Sequence, residues 1–244
     1  MIKWYCLVFL MFSLSLSVVS WADVENEAVD RIYLKYKLSE VRWDRDDISY
    51  GDEVLDFVRD LRDFNRDLTR DWAKLSEENR DRLAEMNLKM GDYFTHQRDP
   101  KRKSDGKTLD SSVIRYPALS LENLAHAELF YNRYLEMVQD FFHREDWENV
   151  DSVRAYYYRA SARMILAEYC LERFEELGGS TLQEKQQTMR FLIERCDFSI
   201  SDFQRVKLLM KIFGLQFSVD ADLESAQYRF YEAVDLSRKL AEKP

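Results

Sequence analysis

The sequence predicts an all-α protein, an elongated bundle of long antiparallel helices, about eight in number and grouped into two sub-bundles. Three observations carry this. Among 244 residues there are only six glycines and three prolines, too few turn formers for a sheet protein or an open, loop-rich fold. Apolar residues recur at alternating steps of three and four over most of the chain. Helix-starting residues such as Ser76, Ser120 and Ser180 stand just before several of those stretches.

The most regular stretch runs from Val150 to Phe174. Val150, Val153, Tyr157, Ala160, Met164, Ala167, Leu171 and Phe174 fall on one helical stripe, and Gly178 and Gly179 are expected to stop the helix in left-handed conformations. Four heptad steps between glycines and other amphipathic helices suit an intramolecular bundle better than a free coiled coil.

Residues 1–22 read as a secretory signal peptide. Lys3 begins it, Trp4 to Val19 is apolar, and Ser20-Trp21-Ala22 offers small residues before a cut at Asp23. The apolar run, roughly 16 residues, is short of the about 20 needed for a bilayer span. The composition is 46% hydrophobic and 33% charged, with net charge −9, which becomes −10 once Lys3 is removed. Such acidity speaks against nucleic acid as a partner. Export would leave Cys170 and Cys196 where disulfides are allowed. About a hairpin at residues 178–181, however, their levels differ by on the order of 10 Å, so two buried thiols are expected. The absence of any Asn-x-Ser/Thr site points to a bacterial periplasm.

In chain order, the first helix is expected from Val24 to Val41, with Val29, Ile32, Tyr33 and Tyr36 near one face and Leu34, Leu38 and Val41 on another. The second covers Glu53 to Leu75 and carries the stripe Val54, Phe57, Leu61, Phe64, Leu68, Trp72 and Leu75. Its Arg-Asp series (Arg59-Asp60, Arg62-Asp63, Arg66-Asp67, Arg70-Asp71) predicts surface ion pairs such as Arg59–Asp63 and Asp63–Arg66, each worth about 0.2–0.5 kcal/mol. Ser76 caps a third helix reaching His96, which completes an N-terminal unit over 23–96. From 97 to 118 the period disappears, and Arg98, Lys101, Arg102, Lys103 and Lys107 mark a basic linker or exposed loop able to touch an anionic partner.

The C-terminal bundle is expected over 119–244. Its fourth helix, from Ser120 to about His143, bears two adjacent stripes, one with Leu121, Leu124, Tyr131, Leu135, Val138 and Phe142, the other with Ala127, Phe130, Tyr134, Met137 and Phe141. A sixth helix is expected from Ser180 through Cys196, a seventh from Ser201 or Asp202 through Phe217, and an eighth from Asp222 through Leu240. In that last helix Ala226, Tyr231, Ala233 and Leu240 echo a tetratricopeptide helix, although the rest of that repeat's signature is missing.

Motifs for chemistry are absent. Glu122–His126 and Asp140–His143 are each one turn apart on the fourth helix, yet the pairs sit over about 25 Å from one another and cannot share a metal. Neither a Glu-x-x-His pair on two helices, His-Glu-x-x-His, a haem attachment site nor a phosphate-binding glycine loop occurs. The sequence therefore predicts no enzyme activity, no cofactor and no metal. The candidates for partner contact are Tyr156 and Tyr158, which lie off the core stripe beside Tyr157, together with Trp147 and the basic Lys101, Arg102 and Lys103.

In overall character, with its apolar leader and aromatic-rich long helices such as Ala155-Tyr156-Tyr157-Tyr158-Arg159, the chain resembles the helical proteins that coat spirochaete periplasmic flagella. That resemblance implies a sheath role affecting filament shape and motility. The residues themselves predict an exported structural or assembly protein of a periplasmic or envelope complex, its partners being other proteins or further copies of itself. The alternative is a helical adaptor or chaperone module that binds a protein or lipid in a groove.

Overall fold

A computed structural model describes residues 21–43, 52–67, 74–96, 120–141 and 150–242. Among them are eight helices and no strand: α1 (Trp21–Trp43), α2 (Asp52–Asp67), α3 (Glu77–His96), α4 (Ser120–Phe141), α5 (Val150–Glu172), α6 (Phe174–Leu177), α7 (Leu182–Phe213) and α8 (Asp220–Ala241). The predicted all-α class is the observed one. Residues 1–20 and 97–119, which hold most of the expected leader and all of the basic stretch, lie outside the described residues. The chain divides into two compact units, with the boundary between Met86 and Asn87 inside α3.

In the first unit, Val29, Ile32 and Tyr36 of α1 are buried with Phe57, Val58 and Leu61 of α2 and with Leu83 and Met86 of α3. Tyr36 rests on Phe57 with ring centroids 5.6 Å apart. Leu34 is 64% exposed, so the second apolar face expected of the first helix is not buried at that position. The α2 ion pairs are local and exposed. Arg66 reaches Asp63 at 3.6 Å as expected, but Arg59 turns back to Asp56 at 2.8 Å instead of forward to Asp63. Leu75 is buried beyond the end of α2, next to Ser76, whose hydroxyl accepts from the Asn79 amide at 3.2 Å and caps α3.

In the second unit, α4 and α7 pack antiparallel to α5. Contacts descend in step along the pairs: Gln139 meets Tyr156 and Glu128 meets Arg163, while Asp202 meets Arg159 and, past the end of α5, Lys185 meets Glu175 of α6. Helix α8 lies on α5 and α7, closing a core of Ala167, Leu171, Phe174, Met189, Leu192, Cys196, Ala233 and Leu240. Helix α5 is consequently buried on several sides, although its first stripe residue, Val150, is 56% exposed. The described side chains of both adjacent stripes of α4, Leu124, Ala127, Phe130, Tyr131, Tyr134, Leu135, Met137 and Val138, are in the core, while those of Leu121, Phe141 and Phe142 lie outside the described residues. Cys170 and Cys196 are free thiols, and burial pushes Cys196 up to about 11.

Three expectations about the second unit are corrected. Helix α5 stops at Glu172, before the separate turn α6, and of the two glycines only Gly179 has a positive φ (101°), whereas Gly178 is right-handed. The next helix is capped by Thr181 and not by Ser180: Thr181 and Glu184 form a reciprocal capping box. Amide donation from Thr181 and Ser180 also holds the Glu184 carboxyl below its usual range. Finally, the predicted sixth and seventh helices are one, α7, unbroken for 32 residues. The Ser199-Ile200-Ser201-Asp202 stretch looked like a helix start because such side chains compete for their own backbone. Here they are engaged elsewhere. Ser199 donates to the Ala160 carbonyl of α5 at 2.8 Å, and Asp202 is taken by two arginines.

At Gly91 of α3 an added Cβ would lie 2.5 Å from the Tyr131 ring, which is fully buried. The Tyr131 hydroxyl donates to Asp92 at 2.9 Å, which fixes the ring against the glycine. Gly91→Ala should gain about 1 kcal/mol of helix propensity but overpack a ring with nowhere to go, at about 1–3 kcal/mol. Net destabilisation on the order of 1 kcal/mol is expected in urea unfolding, and a variant at least as stable as wild type would refute this packing.

Candidate functional site

The described residues concentrate buried charge in one place, where α4, α5 and α7 meet. Helix periodicity builds it. On α4, Glu128, Asn132, Glu136 and Gln139 follow at steps of four, four and three. On α5, Tyr156, Arg159 and Arg163 follow at three and four, and on α7 Arg195, Phe198, Asp202 and Arg205 follow at three, four and three. Each set is one stripe, and the three stripes face each other.

Asp202 is the hub. Its side chain is 7% exposed and accepts two hydrogen bonds from Arg159, at 2.8 and 2.7 Å, and one from Arg163 at 2.9 Å. Glu128 of α4 accepts from Arg163 Nε at 2.9 Å and lies 2.7 Å from Arg195. Asn132 bridges the two arginines, accepting from Arg159 at 2.9 Å and from Arg163 at 2.8 Å. Burial and the neighbouring Arg159 charge lower the Arg163 guanidinium from its ordinary value, while Asp202 and Glu128 oppose them. Paired, hydrogen-bonded guanidinium–carboxylate groups are the form in which charge survives burial.

The cluster forms the floor of an open hollow of about 810 Å³. Tyr156, Phe198 and Ser201 complete its walls, and Glu136, paired with Arg133 at 2.8 Å, stands at its edge with Arg205. Among the described residues its lining holds three guanidiniums and two carboxylates. Such a hollow suits a carboxylate or another anionic group with some apolar surface beside it. Its own carboxylates are already engaged by arginines.

Of the residues singled out from the sequence, Tyr156 is 4% exposed, accepts from Gln139 at 2.6 Å and lies under Arg159, with 5.3 Å from guanidinium to ring centroid. Tyr158 is half-buried and stacks on Tyr131 of α4 at 6.2 Å. The structure thus brings Tyr156 into the hollow and sends Tyr158 to another side of α5. Trp147, Lys101, Arg102 and Lys103 lie outside the described residues. His126 stacks on Phe94 at 4.9 Å. Among the described residues no group of three or more His, Cys, Asp or Glu is placed to hold a metal ion, and no helix is long and apolar enough to cross a membrane. The arginine cluster itself was missed. The available signal was Arg159 and Arg163, four apart on the same flank as Ser152 and Tyr156 of an otherwise apolar helix.

A half-buried acid lies on another side of α5. Tyr157 donates to Asp222 of α8 at 3.3 Å, and burial raises the Asp222 carboxyl even though that hydrogen bond lowers it. Burial and the Asp222 charge likewise raise the Tyr157 phenol, so it stays a donor.

Removing the hub should leave Arg159 without a carboxylate and Arg163 with Glu128 alone. Asp202→Ala is expected to cost about 3–5 kcal/mol in urea unfolding; a loss under about 1 kcal/mol would show the cluster to be ordinary surface pairing. For Asp222 the sign is opposite. Its folded-state value is raised, so its contribution is present below the ordinary carboxyl value of about 3.9 and is lost as pH rises through the folded value. Asp222→Asn should therefore gain on wild type as pH rises from about 3 to 7. A stability difference that stays flat with pH would contradict this.

Comparison with known protein families, curated proteins and solved structures finds no match to this chain.

Proposed function

We propose that the chain is an exported, non-enzymatic structural or assembly protein, a component of a larger periplasmic or envelope complex. The observation that carries this is the outward-facing apolar surface of the second unit. On α7, Phe191, Phe198, Leu208 and Ile212 are 52%, 54%, 48% and 55% exposed, and on α8 Tyr228 and Tyr231 are 64% and 66% exposed. Single exposed apolar residues are ordinary, but a row of four on one helix is surface that protein association covers. Export rests on the apolar N-terminal 22 residues. A non-catalytic role is supported by the engagement of the acids that line the hollow, Asp202 with Arg159 and Arg163 and Glu136 with Arg133. The flagellar sheath role implied by the resemblance is a narrower form of the same proposal.

The hollow favours one other reading, an adaptor that carries an anionic peptide or lipid. Cell fractionation combined with in-cell crosslinking separates the two. The assembly reading expects the chain in the periplasmic or envelope fraction, crosslinked to itself or to a fixed protein partner. A monomer without crosslinks would sink it, and native mass spectrometry showing a bound small anion would favour the adaptor.

A further inference from the structure

We propose that the partner of α7 is a second copy of this chain, docked antiparallel along the same helix. The inference deepens the assembly reading and rests on it. Phe191, Phe198, Arg205 and Ile212 are seven residues apart, so they return to nearly the same side of α7 every two turns, with Glu194, Ser201 and Leu208 alongside. The stripe extends for about 30 Å at 1.5 Å per residue. Its rings are braced by the chain's own cations: Arg195 lies 4.7 Å from the Phe191 centroid and Arg163 lies 5.3 Å from that of Phe198. Rings held upright in this way lose little rotamer freedom on docking.

Charge selects the occupant. The half of α7 before Ser201 carries the exposed Glu194 and Asp197 beside Arg190 and Arg195; the half after it carries Arg205 and the exposed Lys207 and Lys211. Parallel docking would set Arg205 against Arg205 and Asp197 against Asp197. A two-fold axis midway between Ser201 and Asp202 instead places Phe191 of one copy opposite Ile212 of the other, and Phe198 opposite Arg205. Both pairs are symmetric about the same point, so a single axis satisfies both. The same axis sets Asp197 within one residue of the level of Arg205, at the mouth of the hollow. Apolar surface then meets apolar surface, an arginine meets an aromatic face, and acid meets base. Ser201, small and exposed at the crossing, permits close approach.

The test uses the purified chain from Asp23 onward. Sedimentation should give twice its monomer mass. Asp197→Arg and Arg205→Glu should each weaken the dimer by roughly tenfold or more, and the double exchange should restore it. A mixture of isotope-labelled and unlabelled wild type, treated with a zero-length carboxyl–amine crosslinker, should yield links between Glu194 or Asp197 of one copy and Lys211 of the other. Within one straight helix these groups are about 15 Å or more apart and out of reach. The crosslink needs no variant, so it decides the matter even if the exchanges impair folding. A dimer indifferent to the exchanges, or one lacking those links, overturns the proposal. A monomer also overturns it. If the monomer is crosslinked in cells to a different protein, the assembly reading stands without self-pairing; if it is crosslinked to none, both fail.

Discussion

The Asp202 carboxylate ties the second unit together. It sits on α7, yet two of its partners are on α5, and those arginines are shared with Glu128 and Asn132 of α4. Apolar packing alone lets antiparallel helices slide by a turn, because leucine and alanine surfaces are interchangeable. A bidentate arginine–carboxylate pair is not, since its fork has one geometry. The cluster therefore sets the register of three helices at once. It also leaves a charged hollow at the surface, because guanidiniums kept this near solvent avoid the full cost of desolvation.

The uninterrupted length of α7 follows from the same contacts. A helix of 32 residues containing Ser199, Ser201 and Asp202 near its middle is locally ambiguous. Ser199 is bonded to the Ala160 carbonyl and Asp202 to Arg159 and Arg163, so both side chains satisfy α5 rather than capping a new helix. Tertiary partners remove the competition that makes such residues helix starters in isolation. The outer face of the resulting rod then presents its apolar row in one line, which a break after Cys196 would have split into two differently directed halves.

Aromatic residues support this frame from within. Tyr157 meets Phe203 at 5.8 Å and Phe217 at 6.1 Å, and Tyr131 occupies the space left by Gly91. Both phenols are raised by burial and both donate to an acid, Asp222 and Asp92 respectively. A buried tyrosine whose hydroxyl finds a carboxylate contributes packing area and direction together. In the first unit Asn79 acts similarly, donating to the Asn26 carbonyl and side chain at 3.1 Å and tying the starts of α1 and α3.

The local pattern of the sequence was enough for the helical class, the apolar faces of α4 and α5, the Ser76 cap and the scarcity of turns, since periodicity and capping depend on neighbours within one or two turns. It could not decide where α7 would or would not break, which residue would cap it, whether Leu34 and Val150 would be covered, or how far each tyrosine of the 156–158 run would be buried. Thr181 caps α7 through Glu184 three positions on, whereas the break and the tyrosines depend on distant groups, as with Ser199 and Ala160, Arg159 and Asp202, or Tyr156 and Gln139. The arginine cluster was illegible for the same reason. Glu128, Arg163 and Asp202 read along the chain as unrelated charges, and they become one site only where three helices cross.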